Sequence, residues 1–590
     1  MKVLLSGNEA VARGAYESGV VFASAYPGTP STEILENAAK YDEIYAEWSP
    51  NEKVALDCAI GAAYAGKRSL AAMKHVGVNV AAEALFYSSY TGFDGALVIV
   101  SADDPGMHSS QNEQDNRYYA KFAKVPMLEP TDSQEAKDFV GLGLEISEKF
   151  DTPVILRLTT RICHSNSVVE LGERKAGVDE RKPFARNPGK YSMIPGFARR
   201  RHPVMEQRLK DLAEYAETFP YNKVEWGDRS IGVVANGVSY QYAREVFPKA
   251  SFLRLGMSWP LPEKLIRDFA SKVDKVVVVE ELDPFLEEHL KMMGLEVAAG
   301  KDFFPLLDEF NPGIVRDAAY KAGLIDATVE RRKIDAGELP PRPPVLCAGC
   351  PHRPVYYTLK KHGLVVNSDI GCYALAVLPP ISTTDTLGCM GASIGVAHGI
   401  NKAGVEERAV ATIGDSTLWH AGMPGLLNVV YNKSNTTTLI LDNLTTAMTG
   451  HQNHPSTGRT LKGEETAKGD FEALARAFGY EEVHTVDPLN LKELEAGLQA
   501  CLDSNKPAVL ISRSPCIFLY KERPALLEVD LDRCNACGRC FEIGCPAVIR
   551  SEEIHEKSGK VKAEINTILC FGCSVCEQVC ARKAIHTMEE

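Results

Sequence analysis

The chain has 590 residues, room for roughly four domains at about 150 residues each, and its 45% hydrophobic and 24% charged content is ordinary for a soluble globular protein. A net charge of −13 with no basic stripe to offset it argues against a nucleic-acid partner, and no apolar run approaches the roughly 20 residues that span a bilayer. The opening Met1-Lys2-Val3-Leu4-Leu5-Ser6-Gly7 is too short for a signal-peptide apolar region, so a cytoplasmic location and no membrane partner are expected.

In chain order, a strand over 20–26 stops at the turn cluster Pro27-Gly28-Thr29-Pro30, and an Ala-rich helix follows over 52–65. Buried strands are expected at 96–100, ending at Asp103-Asp104-Pro105, and at 154–158. Residues 170–225 are rich in Arg, Lys and Pro and read as a crossing linker with one helix over 204–217. A second α/β unit runs from 231 through the strand at 275–280 to about 310. Pro340-Pro341-Arg342-Pro343-Pro344 marks a stiff linker into a third unit with strands at 409–413 and 436–441. From about 525 the chain is short and cysteine-dense. Buried strands interleaved with helices argue for parallel sheets in a multidomain α/β protein. The expected division is 1–190, 191–320, 335–522 and 525–590.

Sixteen cysteines are present, and eight fall between Cys534 and Cys580. In a cytosolic chain of this size such crowding favours metal over disulfides. Cys570, Cys573, Cys576 and Cys580 form C-x2-C-x2-C-x3-C, a spacing that lets three thiolates of one loop grip three corners of a cubane while the fourth serves the other cluster. On that logic one [4Fe–4S] cluster takes Cys534, Cys537, Cys540 and Cys580, and a second takes Cys570, Cys573, Cys576 and Cys545. The tail thus resembles two-cluster bacterial ferredoxins. It departs from them in having four residues between Cys540 and Cys545, and Ala581 where proline is usual. A pair of structural zinc sites is the alternative, although a third cysteine at the same interval is superfluous for zinc.

At the end of the strand expected over 409–413 stands Gly414-Asp415-Ser416, and Asn443-Leu444-Thr445 ends the next, 28 residues on from Asp415 to Asn443. This is the thiamine diphosphate pattern, with Ser416 for the usual second glycine and Asp442-Asn443 for Asn-Asn. Two adjacent strand ends bring a carboxylate and an amide oxygen to a hard cation. Mg²⁺ held by Asp415, Asn443 and the Thr445 carbonyl would clamp the diphosphate. A plain surface turn is the competing explanation for a lone Gly-Asp. The glycine-rich run 388–395, which contains Gly391, either packs on the cofactor or serves close helix packing. Residues 446–452, with Met448, are expected to cover the diphosphate or the ring, and His451 is either a site or a loop residue.

These segments together with Tyr26-Pro27-Gly28-Thr29-Pro30-Ser31, Asn51-Glu52-Lys53-Val54-Ala55, Met73-Lys74-His75-Val76-Gly77-Val78-Asn79, Ser101-Ala102-Asp103-Asp104-Pro105-Gly106, Ser109-Ser110-Gln111-Asn112-Glu113-Gln114-Asp115 and Cys347-Ala348-Gly349-Cys350-Pro351-His352-Arg353 resemble the 2-oxoacid:ferredoxin oxidoreductase superfamily, in its indolepyruvate-acting branch. The resemblance implies a pyrimidine-binding thiamine fold over 1–190, a transketolase C-terminal-like α/β domain over 191–320, a diphosphate-binding fold over 335–522 and a ferredoxin-like domain over 525–590. It also implies that Glu52 holds the pyrimidine nitrogen and so promotes loss of the thiazolium C2 proton, a role for which burial raises a carboxyl pKa. A helix-start carboxylate is the structural alternative for Glu52. Thr29 matches a substrate-contacting threonine. The arginine that pyruvate enzymes carry near Ala102-Asp103 is missing, so Lys74 and His75 are the candidates for the substrate. Cys347, Cys350, Cys372 and Cys516 match in order a third, proximal [4Fe–4S] site, with small buried thiols as the alternative. Cys58, Cys163, Cys389 and Cys501 read as structural.

The implied activity is coenzyme A-dependent oxidative decarboxylation of aryl pyruvates, indolepyruvate first, with ferredoxin as acceptor, although no separate coenzyme A motif is evident. A smaller beta subunit in an α2β2 assembly is the implied partner. The rivals are another 2-oxoacid or phenylpyruvate oxidoreductase, a non-oxidative thiamine decarboxylase with an appended cluster domain, and an electron-transfer subunit with a vestigial thiamine fold.

Overall fold

Strands that read as apolar runs form the middle of a seven-stranded sheet in the N-terminal part. Its order is Met257–Trp259, Met127–Leu128, Val154–Thr159, Ala96–Asp103, Arg68–Lys74, Phe22–Ala25 and Tyr45–Trp48. All neighbours are parallel except Met257–Trp259, which runs antiparallel to Met127–Leu128. Ala96–Asp103 is buried at every position, as a strand covered on both faces must be. This computed structural model describes residues 1–175, 184, 186–326, 340 and 342–588. By contact density the chain divides into Met1–Asp335 and Ala336–Glu590. The expected third-domain start at 335, and Pro341 of the expected stiff linker, lie outside the described residues.

A four-stranded sheet completes the first unit, in the order Val276–Val279, Asp228–Asn236, Ala250–Leu255 and Lys223–Glu225. The strand Met257–Trp259 leaves this second region to pair with the seven-stranded sheet, so the stretches 1–190 and 191–320 share one sheet. Buried ion pairs reinforce the junction. Arg117, 1% exposed, pairs with Asp115 and reaches Glu280, each at 2.5 Å. Of these the Arg117–Glu280 pair crosses between the two stretches, while Arg157, within the first, pairs with Asp103 at 2.7 Å and Glu129 at 2.5 Å. The helix expected over 204–217 runs over Pro195–Ala216, starting earlier because Pro195 occupies its first turn, where a missing N–H costs nothing.

The second unit holds a six-stranded, all-parallel sheet in the order Thr386–Leu387, Val365–Ser368, Ala409–Gly414, Thr437–Asp442, Ala508–Arg513 and Glu482–Val486. From Val365–Ser368 the chain passes to one side, and from Ala409–Gly414 it builds toward the other. The gap between those two strands is therefore a switch point, where α/β sheets open a crevice at their carboxyl ends. Beyond it, two antiparallel pairs frame the cysteine-rich tail: Leu527–Val529 with Ile585–Thr587, and Val548–His555 with Lys560–Ile565. The tail docks on residues 489–491, where the Gln578 amide donates to Leu489 O at 2.7 Å and accepts from Leu491 N at 2.9 Å. Among the described residues, no helix is long and apolar enough to cross a membrane.

Candidate active site

In the first unit the candidate residues stand just beyond the carboxyl ends of neighbouring parallel strands. Thr29 follows Phe22–Ala25, Glu52 follows Tyr45–Trp48, and Lys74 closes Arg68–Lys74 directly before His75. Asn51 caps the helix Glu52–Tyr64 by accepting from Val54 N at 2.9 Å, which fixes Glu52 in its first turn. Glu52 is 6% exposed and lies against Gly77, where an added Cβ would sit 2.8 Å from its Cγ and Oε1. Glycine at 77 is what admits this carboxylate.

Ser109 ties the other candidates together. Its Oγ donates to Thr29 O at 3.2 Å, and its carbonyl accepts from Lys74 Nζ at 2.6 Å. Burial pushes the Lys74 ammonium down to about 8, against the opposing pull of Asp104. His75 is fully buried, with Nε2 at 3.3 Å from both Asn112 O and Oδ1. Both partners are acceptors, so Nε2 carries the proton. His75 thus anchors the loop that carries Ser109.

In the second unit, Asp415 and Asn443 stand beyond adjacent strand ends whose register pairs Gly414 with Leu441. As assigned, Asn443 Oδ1 faces Asp415 Oδ2 at 3.1 Å and Thr445 O at 2.7 Å. Three buried acceptor oxygens crowd one point there. Turning the amide over would give two hydrogen bonds, and a hard cation bound to the unturned oxygens would relieve the same repulsion. This donor set, one carboxylate, one amide and one carbonyl, fits Mg²⁺. Among the described residues, no three His, Cys, Asp or Glu side chains converge as they would on a single metal ion.

Gly414 packs on the Tyr373 ring, and its N–H donates to the Tyr373 hydroxyl at 2.8 Å. Ser416 N donates to Asp415 Oδ1 at 2.8 Å. Gly391 has φ of 84°, and a Cβ there would lie 2.7 Å from that of Ala421, so close helix packing accounts for this glycine. Met448 is half exposed on the turn Ala447–Thr449, and the His451 ring lies 5.3 Å from that of Phe518.

Several residues escaped the sequence reading. Asp369, beyond the end of Val365–Ser368, accepts from Gly391 N at 2.9 Å and Ser393 N at 3.0 Å, although burial pushes its carboxyl pKa up. His454 Nε2 lies 3.2 Å from Asp415 Oδ2. His352 is buried, which pushes it down to about 4, and its Nε2 sits 3.5 Å from the Asn443 amide nitrogen. The only available signal was for Asp369: it follows a short apolar strand just as Asp415 does.

The cysteines gather in three sets. Cys534, Cys537, Cys540 and Cys580 line one pocket. Burial and then Cys537, Cys534 and Cys580 push the Cys540 thiol up to about 11. Cys573 is pushed up to about 11 by burial, with Cys545 and Cys570 adding to it, and Cys576 rises for the same reasons beside Cys573, Cys545 and Cys570. Burial raises Cys350 to about 12, with Cys372 and Cys347 as neighbours, and Cys372 to about 11, with Cys516 and Cys347. Cys516 N donates to Asn443 O at 3.0 Å, joining this last set to the cation-shaped oxygens. Binding to a cluster requires such thiols to lose their protons.

Comparison with known proteins places these features in context. Residues 13–221 match the family described as pyruvate flavodoxin/ferredoxin oxidoreductase, thiamine diphosphate-binding, and residues 369–512 match the C-terminal binding domain of thiamine pyrophosphate enzymes. Indolepyruvate oxidoreductase subunit IorA of Archaeoglobus fulgidus is 42% identical over 99% of this chain and 97% of its own length. The protein of the same name from Pyrococcus horikoshii is 40% identical over 100% and 97%. The 2-oxoglutarate synthase subunit KorA of Methanothermobacter thermautotrophicus is 25% identical over 47% of this chain and 86% of its own.

Proposed function

The chain belongs to the 2-oxoacid:ferredoxin oxidoreductase family, and from that membership we propose that it oxidatively decarboxylates aryl pyruvates, indole-3-pyruvate first, to the acyl-coenzyme A with ferredoxin as acceptor. It is an oxidoreductase with thiamine diphosphate-binding α/β domains. The observation that carries the oxidative reading is the hydrogen bond from Cys516 N to Asn443 O, which ties a four-cysteine set to the oxygens that fit Mg²⁺. A non-oxidative decarboxylase has no need of four cysteines at that position.

Thiamine diphosphate, when bound, would supply a carbanion nucleophile toward a keto carbon and a sink for the electron pair of decarboxylation. The residues prepare for this. Asp415, Asn443 and the Thr445 carbonyl would hold the cation that neutralises the diphosphate, with Gly414 and Ser416 shaping the turn around it, Gly391 serving close helix packing nearby, and Met448 on the covering segment. Glu52, dry and fixed at a helix start, holds or releases a proton at the pyrimidine nitrogen. Thr29 and Lys74 face the substrate, Lys74 with ammonium protons left over from its bond to Ser109 for a carboxylate. That ammonium takes the place of the missing arginine, and His75 keeps its loop in register.

The cysteine groupings support two [4Fe–4S] clusters in a ferredoxin-like tail, on Cys534, Cys537, Cys540 and Cys580 and on Cys545, Cys570, Cys573 and Cys576. They support a third on Cys347, Cys350, Cys372 and Cys516. The partner is a smaller beta subunit, as the word subunit in the relatives' names suggests, in an α2β2 assembly. Anaerobically purified protein is expected to contain thiamine diphosphate and iron for three clusters, and Cys347→Ser to lose the iron of one cluster only. Iron without thiamine would instead indicate an electron-transfer subunit, and unchanged iron in Cys347→Ser would remove the third cluster.

A further inference from the structure

Arg353, on the helix His352–Lys361, is 3% exposed. Its guanidinium donates to three carbonyls: from Nε to Cys347 O at 3.0 Å, from Nη2 to Leu346 O and from Nη1 to Gly544 O. Two of these carbonyls lead into the Cys347–Cys350 loop, and the third immediately precedes Cys545. The titratable neighbours of the guanidinium are Cys545, Cys350, Cys347 and Cys573, drawn from two cysteine sets, and no carboxylate forms an ion pair with it among the described residues. A fixed cation buried without an anion is strongly disfavoured.

The two sets also touch directly. Gly349, at φ of 78°, leaves room for Phe571 beside Cys570, where a Cβ would come within 2.6 Å of the Phe571 Cβ. Gly544, at φ of 70°, would bring a Cβ to 3.3 Å from Arg353 Nη1. The loops meet at glycines because nothing larger fits between them.

We propose that Arg353 is the counter-charge shared by the Cys347/Cys350/Cys372/Cys516 and Cys545/Cys570/Cys573/Cys576 sets, locking their loops together and raising the reduction potential of both clusters. The inference rests on the cluster assignment above. A cluster held by four thiolates is anionic and becomes more so on reduction, so a cation fixed in a low-dielectric gap favours the reduced form of each. The third set, on Cys534, Cys537, Cys540 and Cys580, does not share the guanidinium.

The test is an EPR-monitored redox titration of the full-length, anaerobically purified protein, with iron content measured in parallel. Arg353→Gln is expected to keep its iron and to make reduction of the two flanking clusters at least tenfold less favourable, about 59 mV for a one-electron couple. The other tail cluster, on Cys534, Cys537, Cys540 and Cys580, should stay unmoved, and Arg353→Lys should restore most of the loss. Unshifted potentials in Arg353→Gln with full iron, or an equal shift at all three clusters, would overturn the inference. If Arg353→Gln loses iron, recovery of loading in Arg353→Lys supports a requirement for charge, and continued loss contradicts it. Iron for only two clusters in the wild-type protein would instead overturn the cluster assignment beneath it.

Discussion

Asn443→Ala and Asp415→Asn are expected to strip thiamine diphosphate from the protein on desalting and to lower turnover by more than about a hundredfold at ordinary cofactor concentrations. Removing even a group that only orients a metal ligand costs about 10–100-fold, and these two side chains are assigned as ligands themselves. The magnitude follows from the crowding of Asn443 Oδ1, Asp415 Oδ2 and Thr445 O within 2.7–3.1 Å. Alanine at 443 removes one of the three oxygens that this crevice offers a hard cation. Thiamine content and activity at several Mg²⁺ concentrations check this. Full retention of the cofactor in both variants would mean that the amide belongs in its turned orientation, bonded to Asp415 and Thr445.

Glu52→Gln is the second large effect. It is expected to retain cofactor and iron but to lose about 10²–10⁴-fold in turnover, the usual contribution of a positioned proton-transfer group. Glutamine preserves the shape that fits over Gly77, so folding is not at stake. Exchange of the cofactor C2 proton in deuterated buffer, quenched and read by NMR, separates the roles. Slowed exchange places Glu52 in proton transfer, whereas wild-type exchange and turnover would reduce it to the helix-start carboxylate that its position in Glu52–Tyr64 also allows.

Those parts of the site that depend on short spacing were legible before any coordinates. Asp415 and Asn443 follow strands that are consecutive in the chain, and consecutive strands are neighbours in a sheet more often than not. The cysteine runs at 534–545 and 570–580 stand out in the sequence because three cysteines of each lie close together, while the exchange of Cys545 and Cys580 between the two sets follows only from the ferredoxin resemblance. Cys372 and Cys516 were legible only through the family resemblance, because their proximity depends on the whole sheet between them.

What could not be read depends on which strand lies next to which. Asp369 holds Gly391 and Ser393 because Val365–Ser368 lies beside Ala409–Gly414, a pairing across more than forty residues that no local period announces. Arg353 looks like an ordinary basic residue until Gly544 arrives against it from the tail. Met257–Trp259 is too short to carry a pattern, yet it joins the two halves of the first unit. The early start of Pro195–Ala216 was hidden by basic residues that mask its apolar stripe.

The central claim is that decarboxylation in this chain is oxidative and directed at aryl pyruvates. The most direct measurement is reduction of ferredoxin by the purified protein together with its small subunit, under anaerobic conditions, with indolepyruvate, phenylpyruvate and pyruvate in turn, each with and without coenzyme A. The account predicts coenzyme A-dependent reduction that is fastest with indolepyruvate and weakest with pyruvate. Release of CO2 and aldehyde without reduction of ferredoxin, or a preference for pyruvate, would contradict it.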